Sequence, residues 1–135
     1  MNRNVVIDTN VVVSALIAPK GKPETILKMV TQKEVQPYYS LAILAEYVDV
    51  LSRPALKINP IKRNAFLSSI QNAWALVQPS ASTHPMPDES DRIFYDTANE
   101  CGAILITGNK KHFPNEPFVM SPAEYLEYYS APAQR

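Results

Sequence analysis

Two runs of the chain are apolar without alternation, Val5-Val6-Ile7 and Ala103-Ile104-Leu105-Ile106. A strand that is apolar at every position is covered on both faces, as in the middle of a parallel sheet. Shorter strand-like runs lie at 35–39, 75–78 and 118–120. Between them the pattern turns helical and the breakers fall at its ends. Asn10 can cap a helix over 11–17, and Pro23 opens one to about Thr31. Ser40 caps the next, with Leu41, Leu44, Ala45, Val48 and Leu51 as its apolar stripe and Pro54 as its stop. Asn59-Pro60 starts a fourth helix with Ala65, Phe66, Ile70, Ala73 and Trp74 inward. Residues 79–90 read as a loop. Ser90 caps a helix over 91–101 that Gly102 ends, and Ser121-Pro122 starts a last one to about Tyr129. Strands alternating with helices imply right-handed crossovers and a mainly parallel sheet. The 135 residues fit a single domain, 1–135, with a loose tail at 131–135.

Composition narrows the partners. Lys plus Arg and Asp plus Glu are each 13, so no global basic field exists and nucleic-acid binding has to rest on local patches. The lone Cys101 excludes a disulfide framework. No secretory leader and no span-length apolar stretch is seen, so a cytoplasmic protein without a membrane is expected.

The chemistry starts at Asp8, where the first buried strand runs into an acid. In open parallel sheets ligands bind beyond the carboxyl ends of strands. Asp8 and Thr107 sit at those ends of the two central strands, and a charge there makes sense if it holds a cation. Glu46 falls off the apolar stripe of its helix. Asp91 begins a helix whose N-terminus favours an anion, and it borders the face of Phe94, Ala98 and Cys101. Asp96 points nearly opposite that face, toward solvent. The plain alternatives are a helix cap for Asp8, a solvated face for Glu46 and a solvated turn for Lys110-Lys111-His112. His84 and His112 read as surface residues, and Cys101 as a small buried one.

These segments together are similar to a known family. V-V-I-D-T-N-V-V-V-S-A-L, then S-L-A-I-L-A-E-Y, then D-R-I-F-Y-D-T-A followed by G-A-I-L-I-T-G-N, resemble the motifs of PIN-domain nucleases over roughly residues 4 to 122. The likeness is closest to the VapC-like toxins of bacterial toxin–antitoxin pairs. The resemblance implies a three-layer α/β/α fold with a central, mainly parallel sheet. It implies a Mg²⁺- or Mn²⁺-dependent endoribonuclease, a small antitoxin partner and a homodimer. It carries Asp8, Glu46 and Asp91 onto the family's principal acids, as catalytic and metal-binding residues. Thr9, Asn10, Ser14, Asp96, Thr107 and Asn109 would support them, and Arg53, Lys110 and Lys111 would contact RNA phosphates. Many members carry a fourth acid where this chain has Asn109. That feeds a second reading, a module that binds RNA or a protein partner without cutting. A phosphatase of the aspartyl-phosphate type is disfavoured, because Asn10 stands two residues after Asp8 and no glycine-rich phosphate loop is present. Tyr125, Tyr128 and Tyr129 are expected to leave aromatic surface for a dimer to cover.

Overall fold

A computed structural model describes residues 1–131, so the expected loose tail lies, beyond Ala131, outside the described residues. The chain runs β1 (Asn4–Ile7), α1 (Thr9–Ile17), α2 (Lys22–Thr31), β2 (Gln36–Tyr39), α3 (Leu41–Leu51) and α4 (Pro60–Ala73). It continues through β3 (Ala75–Leu76), α5 (Arg92–Cys101), β4 (Ile104–Ile106), β5 (Val119–Met120) and α6 (Pro122–Ser130). Single 3-10 turns occupy Pro54–Leu56, Glu89–Asp91 and Lys110–His112. The sheet order is β3-β2-β1-β4-β5 and every pairing is parallel.

The two unalternating runs are the central neighbours, with Val5 opposite Ile104 and Ile7 opposite Ile106. Val5, Val6, Ile7, Leu105 and Ile106 are completely buried. Burying such side chains contributes about 1.5–3 kcal/mol each, which sets this pair as the rigid centre. Strand order reverses here, since β2 follows β1 on one side and β4 joins on the other. The crevice beyond β1 and β4 is therefore the place where a doubly wound sheet offers a site.

Several local expectations change. α1 begins at Thr9, not after Asn10; Asp8 takes its N-cap position, yet its side chain makes no cap bond. The carboxylate is thus not there to end a helix. Asn10 instead accepts the Gly108 N–H at 3.0 Å, tying α1 to the turn after β4. On α3 the buried residues are Ile43, Tyr47 and Leu51. The stripe of Leu41, Ala45 and Val48 is real but faces outward, with Leu41 55% and Val48 45% exposed. The wheel had two apolar faces, and the aromatic Tyr47 decides which is inside because it fills more core. On α4, Phe66, Ile70 and Trp74 are buried but Ala65 and Ala73 are exposed. Cys101 is only half-buried. Tyr125 is fully buried, its hydroxyl donating to the Asn2 carbonyl at 3.0 Å, and Tyr128 accepts from the Asn2 N–H. The α6 tyrosines close over this chain's own N-terminus instead of offering a free surface.

Asp96 is the clearest reversal. It is buried, not solvent-facing, and accepts the Ser82 N–H at 3.0 Å. Beside it Arg92 donates to the Ser82 and His84 carbonyls at 2.8 and 2.7 Å and pairs with Glu89. Helical spacing placed Asp96 away from the Phe94 face correctly, but the loop 79–90 folds back and covers it. Replacing Asp96 by Ala is expected to lower stability by about 1–3 kcal/mol through the loss of a buried acceptor. Thermal melts check this, together with faster proteolysis of the 79–90 loop.

Candidate active site

The cleft beyond β1 and β4 has a volume of about 570 Å³. Asp8, Thr9, Asn10, Val13 and Ser14 line it from the end of β1 and from α1. Glu46, Val50 and Arg53 line it from α3 and just beyond, Ala55 and Leu56 from the following 3-10 turn, and Asp91 and His112 from the far side. The three acids singled out in the sequence thus share one cleft although 38 and 45 positions separate them in turn.

Each acid is held by a different element. Asp8 is buried, and Thr107 at the end of β4 donates its hydroxyl to Asp8 Oδ2 at 2.7 Å. Burial pushes the Asp8 carboxyl up to about 6; the Thr107 bond opposes this, and the charges of Asp91 and Glu46 add to it. Glu46 accepts the Thr9 hydroxyl, which fixes α3 to the start of α1. Next to it the Tyr47 hydroxyl donates to the Ile7 carbonyl, so α3 grips β1 one residue before Asp8. Asp91 stands at the N-terminal boundary of α5 without a cap bond. Its carboxyl is also raised, by burial first and then by Asp88, with His112 opposing.

Two side chains enter that sequence reasoning left in the background. Among the described residues, Asp88, Asp91 and His112 form a group whose ligand-type atoms all lie within 4.8 Å of one another. His112 Nδ1 is 3.1 Å from Asp91 Oδ2, and its Nε2 is 2.9 Å from the Asn109 amide nitrogen. His112 is exposed, as expected, but it is a cleft residue rather than an isolated surface histidine. The signal was three-residue spacing. Asp88 precedes one 3-10 turn and Asp91 ends it, and Asn109 precedes another that His112 ends. Side chains three apart eclipse on such a turn, whereas periods of 3.6 or 2 hide the pairing. Ser90 does not cap α5; Asp88 caps the preceding turn, accepting from Ser90 N–H and hydroxyl at 3.0 and 2.7 Å.

Some expected residues sit elsewhere. Lys110 lines another cavity and pairs with Glu124 at 3.1 Å. Lys111 is exposed and is not among the cleft-lining residues. Asp96 lies on the other side of α5, under the 79–90 loop. Arg53 does border the cleft, while also pairing with Asp49 at 2.9 Å.

A sequence model of the PIN domain matches residues 4–111. The chain belongs to the PIN-domain family. It is also 35% identical over 109 residues to an uncharacterized protein of Methanocaldococcus jannaschii, covering 78% of this chain and 70% of that one. PIN domains are a nuclease family that works with divalent metal. The all-parallel sheet with helices on its faces is the PIN-type architecture that the sequence motifs implied. The donor set of this PIN domain fits such an ion. Carboxylates from three separate segments, Asp8, Glu46 and Asp91, are what a hard divalent cation takes. Asp91 Oδ2 is enclosed and has no hydrogen-bond partner, although His112 Nδ1 lies 3.1 Å from it. The Asp8 and Asp91 carboxyls are raised by burial first and by neighbouring acids second, a cost that a proton or a cation relieves. Among the described residues no helix is long and apolar enough to cross a membrane.

Proposed function

We propose that this PIN domain is a Mg²⁺- or Mn²⁺-dependent endoribonuclease that cleaves single-stranded RNA by water attack on a phosphodiester. The carrying observation is that Asp8, Glu46 and Asp91, from three distant segments, line one cleft at the switch point of the sheet, with Arg53 on its border. Asp8, Glu46 and Asp91 would hold the ion, with Asp88 and His112 beside Asp91. When bound, a divalent ion stabilises charge on the scissile phosphate and acidifies water at the site. The chain's own part is positional. Thr107 orients Asp8, Thr9 orients Glu46, Asn10 latches α1 to the turn after β4, and Ser14 offers a hydroxyl on the cleft wall. Arg53, and Lys111 from further off, would meet the phosphates of the strand.

A labelled single-stranded RNA incubated with the protein and Mn²⁺ should be cut internally, and chelator should stop the cutting. RNA bound at the same concentration but left intact under Mn²⁺ and Mg²⁺ would favour the second reading, a non-cleaving module. The observation behind that reading is Asn109, whose amide is engaged by His112 and brings no negative charge.

The VapC-like resemblance leads us to propose the toxin role, in the cytoplasm, with a small antitoxin protein as partner. Support for an interface comes from α3, where Leu41, Ala45 and Val48 leave an apolar stripe in solvent. A homodimer is expected to use it. Light scattering at micromolar concentration should then give about twice the 15.1 kDa chain mass. Val48→Lys should return the chain mass with little loss of thermal stability, because the residue is exposed.

A further inference from the structure

A chain of close polar contacts runs from Asn109 through His112 to a cleft carboxylate. The Asn109 amide nitrogen is 2.9 Å from His112 Nε2, and His112 Nδ1 is 3.1 Å from Asp91 Oδ2. An amide nitrogen only donates, so Nε2 accepts. A neutral imidazole that accepts at Nε2 carries its proton at Nδ1. That puts a proton on the nitrogen that lies 3.1 Å from Asp91 Oδ2, an enclosed oxygen with no hydrogen-bond partner.

We propose that Asn109 fixes His112 as the Nδ1–H tautomer, and that His112 in turn fixes the rotation of the Asp91 carboxylate in the cleft. His112 is a positioning residue for Asp91. The purpose of this arrangement rests on the metal-dependent reading above; its geometry does not.

The need for such a device follows from the local fold. Asp91 makes no cap bond to its own helix, and rotation of a carboxylate about its last torsion is soft. One donor on Oδ2 stops that rotation and leaves Oδ1 for the cleft. Outer partners of this kind orient the groups that hold a metal. The same turn does this for both acids. Thr107 donates to Asp8 and accepts the Asn109 N–H at 3.0 Å, and three residues later His112 reaches Asp91. The segment 107–112 thus sets the rotation of Asp8 from one side of the cleft and that of Asp91 from the other. Asn109, without the family's acid, keeps a role as the donor that selects the tautomer.

Two measurements on the full chain decide it. Long-range ¹H–¹⁵N spectra in chelator at about pH 8, above the ordinary histidine range, should show His112 protonated at Nδ1 alone, with His84 as internal reference. Asn109→Ala should release His112 into a mixture of tautomers. A proton on Nε2 in the parent, alone or together with one on Nδ1, overturns the proposal. Mn²⁺ affinity by calorimetry is the second readout. His112→Phe should weaken binding about 10–100-fold, whereas His112→Asn, whose amide keeps a donor near the Nδ1 position, should stay within roughly threefold of the parent. Equal losses in the two variants overturn the positioning role. A parent that binds no Mn²⁺ overturns the metal-dependent reading instead, and the tautomer spectra still decide the link from Asn109 to His112.

Discussion

Asp8→Asn is expected to lower Mn²⁺-dependent RNA cleavage by roughly 10²–10⁴-fold while making the metal-free protein more stable. The activity loss has the size that removing one essential charged group from a site usually produces. The stability gain follows from burial. Burial lifts the Asp8 carboxyl in the folded state to about 6, above its ordinary 3.8. The folded state therefore holds the proton more tightly than the unfolded chain. The charge on Asp8 costs nothing at a pH below about 4, and the cost grows to its full value as the pH rises through about 6. Near neutral pH that cost is on the order of 1–3 kcal/mol, and Asn escapes it while still accepting from Thr107. In chelator the variant should thus melt above the parent at pH 7, and the gap should close as pH falls toward 4. Added Mn²⁺ should raise the parent's melting temperature by mass action and the variant's much less. A variant that melts below the parent at every pH, with an unchanged Mn²⁺ response, would return Asp8 to a purely structural part. The missing cap bond already argues against that part, since Asn at a true cap would cost about 1 kcal/mol or less with or without metal.

The centre of this fold was legible because it depends on one strong signal. Val5-Val6-Ile7 and Ile104-Leu105-Ile106 lack alternation, and between helical segments that marks the inside of a parallel sheet. The five strands and six helices followed, with ends shifted by a residue or two. The shared cleft of Asp8, Glu46 and Asp91 also followed, because strand ends and a helix start are places that topology fixes. What escaped was whatever depended on choosing between faces or on irregular backbone. α3 carries apolar residues on two sides, so the pattern alone favoured Leu41 and Val48 over Ile43 and Tyr47. Asp96 was read as solvent-facing because a proline-rich loop leaves no period to show where it folds. Asp88 and His112 stand on 3-10 turns, whose three-residue repeat is too short to leave a trace in a window scan. Lys110, expected to meet RNA phosphates, pairs with Glu124, 14 residues on, a contact that no local period announces.

Tyr47 ties these two levels together, and its replacement should have the largest effect on stability of any change next to the cleft. The ring is fully buried, in edge contact with Phe66 and Trp74 at 5.7 and 6.0 Å and tilted against Phe94 at 6.4 Å. Tyr47→Ala leaves a large cavity in this cluster and should cost about 3–5 kcal/mol, a large part of the 5–15 kcal/mol typical of a domain. Tyr47→Phe keeps the ring and isolates the hydroxyl. That hydroxyl donates to the Ile7 carbonyl, beyond the paired stretch of β1 and β2, which is Asn4 with Gln36 and Val5 with Pro37. Without it a buried acceptor loses its donor, at about 1–3 kcal/mol. Ile7 directly precedes Asp8, and Tyr47 directly follows Glu46, so the same bond sets the distance between two acids of the cleft. Small misplacements of reacting groups are costly to rate. Tyr47→Phe should therefore lower RNA cleavage roughly 3–10-fold at a temperature where the variant is fully folded, with circular dichroism as the check on folding. Full activity in a folded but less stable Tyr47→Phe would mean that the hydroxyl serves the core alone, and that the spacing of Asp8 and Glu46 is held by the Thr9 bond to Glu46 without it.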